Sequence, residues 1–120
     1  MPGEFTDRIA EVDAYAAQLR QLIPDVTKAF GGLSKGAQTP GALDGKTKEL
    51  IALALSVATN CKGCIAYHAR NSVRTGATRQ EVAEALGVAI QMGGGPGITI
   101  AADALRAFDE FAAAAAPTTA

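Results

Sequence analysis

Apolar residues recur at three- and four-residue intervals along nearly the whole chain, and the period never settles to two. Ile9, Val12, Ala16 and Leu19 give the first such stripe, which predicts a helix over roughly Thr6 to Leu22. Pro24 suits the first position of a short second helix that ends near Gly31 and Gly32. The stretch SKGAQTPGALDG that follows reads as a loop from its Gly, Pro and Ser content. Asp44 is a candidate N-cap for a third helix, GKTKELIALALSVATN. Beyond Glu49 its apolar positions run almost all the way round, which predicts a place at the centre of the core. Asn60 ends it. A fourth helix begins near Cys61 and runs to about Arg74, with Gly76 just past its end. Thr78 to Glu81 spell a capping box for a fifth helix that continues to Met92. GGGPG, Gly93 to Gly97, breaks the chain, and Pro96 starts a sixth helix carrying Ile100, Leu105, Phe108 and Phe111. The expected fold is all-α: a single-domain bundle of about six helices over residues 1–111, followed by a low-complexity tail, 112–120, that frays.

Composition supports this reading. Hydrophobic residues make up 48% of the 120, much of it alanine, the best helix former. The formal net charge is −1, so there is no basic surplus to neutralise phosphates, and nucleic acid is not an expected partner. The N-terminus lacks a basic segment followed by an apolar one, so no signal peptide is read. The apolar run Leu50 to Ala58 is far too short to span a bilayer. A cytoplasmic location follows as the expectation. Thiols stay reduced there, which favours a redox or metal role for a CxxC pair over a structural staple.

Candidate chemistry is concentrated in NCKGCIAYHAR, Asn60 to Arg70, which holds both cysteines and the single histidine. At roughly 100° per residue, Cys61, Cys64 and His68 share one face of the fourth helix. A CxxC at a helix start lies among unpaired backbone N–H groups at the positive end of the dipole, which favours the thiolate. His68, one turn past Cys64, could accept the thiol proton or return it to a leaving group. Glu49 is a candidate to orient that histidine. Taken alone, it reads rather as a solvated first-turn charge that complements the helix dipole.

Metal is the chemical rival. C-x2-C-x3-H offers three ligand-type side chains, but a structural zinc site wants four, and Glu49 or a neighbouring subunit would have to complete it. Haem attachment fails because Ile65 follows Cys64 where that pattern needs histidine, and an iron–sulfur cluster lacks cysteines. GGGPG has no nucleotide-loop pattern and reads as a tight interhelical turn where backbones approach closely.

The ordered set Glu49, Cys61, Cys64, His68 has the form E-x11-C-x2-C-x3-H. Together with LDGKTKELIALALSVATNC before the motif, GATRQEVAEAL after it and MGGGPG beyond, it resembles the alkylhydroperoxidase D-like group of the carboxymuconolactone decarboxylase family over about residues 24–111. The resemblance implies an all-helical subunit assembled as a trimer or hexamer. It implies thiol peroxidase or dithiol–disulfide oxidoreductase chemistry with no metal or haem cofactor, and a proton relay of Glu49, Cys61, Cys64 and His68. It also implies a hydroperoxide substrate and a dithiol or thioredoxin-like reductant. The best-characterised members carry a second histidine just before the second cysteine, where this chain has Gly63. The alternatives are a decarboxylase-like lyase using His68 and Glu49 as acid and base, and a non-enzymatic module that binds zinc or a partner protein. Helical access favours Cys64 as the thiol deprotonated through Glu49 and His68, with Cys61 as its disulfide partner. A small alanine-rich domain also leaves apolar faces for a homo-oligomer, with the helix from Pro96 onward the expected contact surface.

Overall fold

The computed structural model describes residues 3–116. Six helices follow in order: α1 (Glu4–Leu22), α2 (Pro24–Gln38), α3 (Gly45–Ala58), α4 (Lys62–Arg74), α5 (Arg79–Gly93) and α6 (Gly95–Ala115), with no strand among the described residues. Helices α3, α4, α6 and α5 pack as a closed ring, each against the next. Helix α1 lies across α4 and α6, and α2 stands outside, touching only α1 and the edge of α3 among its principal neighbours.

The core is built from small and medium side chains. Leu53, Ile65 and Val82 are almost fully buried, each stabilising by about 1.5–3 kcal/mol. Between α4 and α6 the buried positions are mostly alanines: Ala66 and Ala69 on one side, Ala101, Ala104 and Ala107 on the other. Short side chains let two helices approach closely, which explains how so alanine-rich a chain fills its interior.

Helix starts follow local side-chain chemistry. Asp44 accepts the Thr47 amide at 2.8 Å. Thr78 and Glu81 exchange the two bonds of the expected capping box. Both junctions within the α3–α4–α5 segment turn on residues of positive φ, Asn60 (φ 52°) after α3 and Gly76 (φ 85°) after α4. In each case the next residue donates its amide across the helix end, Cys61 to the Ser56 carbonyl and Ala77 to the Ser72 carbonyl.

Three expectations are corrected. Helix α2 does not stop at Gly31 and Gly32 but runs to Gln38, so the loop is only residues 39–44. Two mid-helix glycines cost about 1 kcal/mol each, which tertiary bonds can offset. Here Lys48 of α3 donates its ammonium to the Ala37 carbonyl at 2.9 Å and the Thr39 carbonyl at 2.6 Å, satisfying the helix end from outside. Helix α6 runs past Phe111 to Ala115, because a run of alanines continues a helix without cost. Of the expected frayed tail, residues 117–120 lie outside the described residues. Helix α3 is not buried all round: Glu49, Leu53, Ser56 and Val57 face inward, whereas Ile51 and Leu55 are about half exposed.

GGGPG is a tight turn. Gly94 takes φ 73°, and Gly97 is buried where α5 and α6 meet; a Cβ there would stand 3.3 Å from the Ile90 Cα.

Candidate functional site

The α3–α4 turn places the first cysteine. Asn60 reverses the chain in the αL conformation, and Cys61 is at once the residue that closes α3 through its amide and the N-cap of α4. Its sulfur accepts the Cys64 amide at 3.2 Å. Cys61 and Cys64 are joined as a disulfide, with Cα atoms 5.2 Å apart. Both sulfurs therefore sit at the positive end of α4, where its dipole and a backbone N–H stabilise negative charge once the bond is reduced.

His68 lies one turn further along the same stripe. Its Nδ1 stands 2.7 Å from Glu49 Oε2, reaching from α4 to α3. A carboxylate oxygen only accepts, so Nδ1 carries the proton and Nε2 is the nitrogen left for proton exchange. Helical side chains lean toward the N-terminus, the end of α4 that carries Cys64. Glu49 is 7% exposed, which removes the alternative of a solvated first-turn charge. A carboxylate at such depth is held by partners. The second partner is Asn71, whose Nδ2 donates to Glu49 Oε1 at 3.3 Å. The four sequence-predicted residues thus form two bonded pairs, Cys61–Cys64 and His68–Glu49, with His68 one helical turn beyond Cys64 on α4.

Sequence reasoning missed Asn71. Its spacing was a signal, since position 71 is three residues beyond His68 and so on the same helical face. It also missed the flank formed with α1. There the Tyr67 hydroxyl donates to Asp13, and Arg70 stacks over the Tyr67 ring at 5.3 Å. Burial, with the Asp13 bond, pushes the Tyr67 phenol up to about 12, so it stays a donor at any physiological pH. Burial also lowers the Arg70 guanidinium from its ordinary value, though far too high a base for it to lose its charge. Gly63 faces α1 as well: a Cβ there would meet Val12 Cγ2 at 3.9 Å. An imidazole at position 63 would have to run along Val12 or displace it.

The neighbours of Cys61, Asn60 and Lys62, line a cavity of about 620 Å³ floored by Phe5, Ile65 and Ile100. Among the described residues no group of three or more His, Cys, Asp and Glu side chains is arranged to hold a metal ion.

Residues 24–116 match the model of the carboxymuconolactone decarboxylase family. The chain belongs to that family. A carboxymuconolactone decarboxylase family protein from Legionella pneumophila, solved in its apo form, superposes with a TM-score of 0.89 at 45% identity, covering 91% of this chain and 97% of that one. A Thermotoga maritima member of the family that has been linked to an antioxidative response gives a TM-score of 0.77 at 33% identity, covering 86% and 88%. An uncharacterized protein from Cupriavidus necator is 39% identical over 109 residues, 91% of this chain and 96% of its own length. The carboxymuconolactone decarboxylase fold therefore accounts for the six helices, and the Cys61–Cys64 pair is compatible with a redox role of the alkylhydroperoxidase D-like kind. No helix among the described residues is long and apolar enough to cross a membrane.

Proposed function

We propose that the protein is a thiol-dependent peroxidase, a dithiol–disulfide oxidoreductase whose working pair is Cys61 and Cys64. The observation that carries this reading is the buried Glu49 held to His68 on the helix stripe that bears the two sulfurs. A structural disulfide needs no such pair beside it, whereas a thiol that must gain and lose a proton does.

In the reduced state His68 Nε2 takes the proton of Cys64. The Cys64 thiolate attacks the distal peroxide oxygen, the O–O bond breaks, and the alkoxide leaves as alcohol with the proton returned by the imidazolium. Cys64 is then a sulfenic acid. The Cys61 thiolate attacks it, forming the disulfide and releasing water. Two electrons have passed from the thiols to the peroxide. An external dithiol or thioredoxin-like partner restores both thiols through a mixed disulfide. The Cys64 amide on the Cys61 sulfur supports Cys61 as the thiolate that then resolves the sulfenic acid. A cavity lined by Asn60 and Lys62, the chain neighbours of Cys61, offers space for the organic part of a hydroperoxide. No metal or haem enters any step, and a cytoplasmic thiol pool would supply the reductant.

Assembly as a trimer or hexamer belongs to the same proposal. The apolar face of α6 is spent inside the chain, on Ala101, Ala104, Ala107, Phe108 and Phe111. An uncovered apolar stripe lies on α2, where Val26, Phe30 and Leu33 are each 62–68% exposed. No residue of that helix is buried, which supports α2 as the subunit contact.

The test is hydroperoxide turnover in the presence of a dithiol. The protein should consume peroxide, and C61S and C64S together should abolish it. A double variant that keeps full activity on a lactone acid, with no peroxide turnover in the parent, would establish the lyase instead. Single variants trapped with a disulfide substrate test the order: a mixed disulfide formed only by C64S, through Cys61, would reverse it.

A further inference from the structure

The buried carboxylate of Glu49 has two oxygens and two side-chain donors, and both donors come from α4. His68 Nδ1 takes Oε2 and Asn71 Nδ2 takes Oε1. The amide of Asn71 is itself oriented, because Arg70 Nε donates to its Oδ1 at 3.4 Å. With its oxygen facing a guanidinium, the amide can present only its NH2 group to the carboxylate. The chain of bonds runs Arg70, Asn71, Glu49, His68, so the charge on Arg70 polarises the Asn71 N–H toward Glu49.

We propose that Asn71 is a positioning residue for the redox site: it fixes the Glu49 carboxylate so that His68 is held with its proton on Nδ1 and Nε2 open toward the thiols. Its catalytic consequence rests on the redox reading above; its effect on the imidazole does not. With one donor alone, a carboxylate can rotate about its last torsion and share that donor between its two oxygens. The second donor removes that freedom. It also satisfies an oxygen that would otherwise be buried without a protein partner, which is costly for a charged group. Replacing Asn71 by alanine frees Oε1, the carboxylate can rotate off Nδ1, and the imidazole can then exchange Nδ1–H for Nε2–H. In the second form Nε2 carries a proton and cannot accept one from Cys64.

His68 is the only histidine in the chain, so its ring nitrogens can be read without assignment ambiguity. The experiment compares ¹⁵N ring shifts of the oxidised full-length protein with those of N71A and N71Q at a pH where the ring is neutral, together with the single-turnover rate of the reduced proteins with an alkyl hydroperoxide. The parent should show an Nδ1 shift typical of N–H and an Nε2 shift typical of a bare nitrogen. N71A should move both toward an average of the two forms, and N71Q, which keeps the donor, should move them back. The N71A rate should fall about tenfold, a fraction of the 10²–10⁴ that proton transfer by a placed side chain contributes. Ring shifts in N71A identical to those of the parent would overturn the proposal whatever the rate does. Altered ring shifts in proteins that do not react with peroxide would sustain the positioning role and sink the peroxidase reading. If N71A does not fold, N71S, whose hydroxyl is too short to span the contact, serves the same comparison.

Discussion

Replacing Glu49 by glutamine separates what the relay does for chemistry from what it does for stability. The substitution keeps the volume and removes the charge. Glu49 offers one acceptor oxygen to His68 and another to Asn71, at 2.7 and 3.3 Å. Glutamine has a single oxygen, so one donor must face an NH2 group. The loss is one hydrogen bond to a charged acceptor, worth about 1.5–3 kcal/mol when buried, and less here because the Asn71 contact, at 3.3 Å, is long. A net cost of about 1–2 kcal/mol is expected, which lowers the unfolding midpoint of a chain this size by roughly 3–10 °C. The chemical cost is larger. Without the carboxylate, no group holds the proton on Nδ1 or balances the imidazolium, and the single-turnover reaction of the reduced thiols with alkyl hydroperoxide should slow about 100-fold, within the range general acid–base catalysis contributes. Stopped-flow thiol oxidation and thermal unfolding on the same preparation give both numbers. A variant that loses stability yet reacts within twofold of the parent would refute the relay and leave Glu49 a structural residue.

Other consequences follow from the same contacts. Glu110 of α6 caps α1 from a distance, accepting the Thr6 amide and hydroxyl at 2.7 Å each and the Phe5 amide at 3.4 Å, so E110A should cost about 1 kcal/mol by urea unfolding. Burial alone would raise its carboxyl, but those three bonds together outweigh burial and hold it below the ordinary glutamate value. Its contribution is therefore fully present above the unfolded-state pKa of about 4.3 and is lost as pH falls through the lower folded value. The gap in stability between parent and E110A should close over that acid window and stay constant above it; a gap unchanged by acidification would contradict the assignment. Asn60 occupies the αL region, so N60V should cost about 1–2 kcal/mol while N60G stays close to neutral, and equal stability of N60V and the parent would argue against αL strain at the turn that places Cys61. F30E should convert the assembled protein to a monomer in sedimentation at micromolar concentration without loss of helicity by circular dichroism; an unchanged sedimentation coefficient would remove α2 from the interface.

Local chemistry made much of this molecule readable. Asp44 and the Thr78–Glu81 pair cap the helices they begin, and each works within four residues of itself. What escaped were ends determined across the fold. Helix α2 continues to Gln38 with its last carbonyls bonded by Lys48, and α1 is capped by a side chain more than 100 residues away. The thiol stripe was legible because Cys61, Cys64 and His68 sit on one helix at helical spacing. Glu49 was not legible from periodicity, because its helix is apolar on most sides and gives no direction to a lone carboxylate; the residues alone offered it as a candidate, and the resemblance made the assignment specific. Asn71 lay on the readable stripe, but its meaning depends on a partner 22 positions upstream. Ile51 and Leu55 look like core positions and are half exposed, because an apolar pattern does not say whether the surface that covers it belongs to the same chain.

The central claim is that Cys61 and Cys64 deliver two electrons to a hydroperoxide. It is tested most directly by counting free thiols in the fully reduced protein before and after one equivalent of an alkyl hydroperoxide, with the alcohol formed measured alongside. The account predicts the loss of both thiols, one alcohol per chain and a return of both thiols on adding a dithiol. Two thiols still free after the peroxide has been incubated to completion would contradict it.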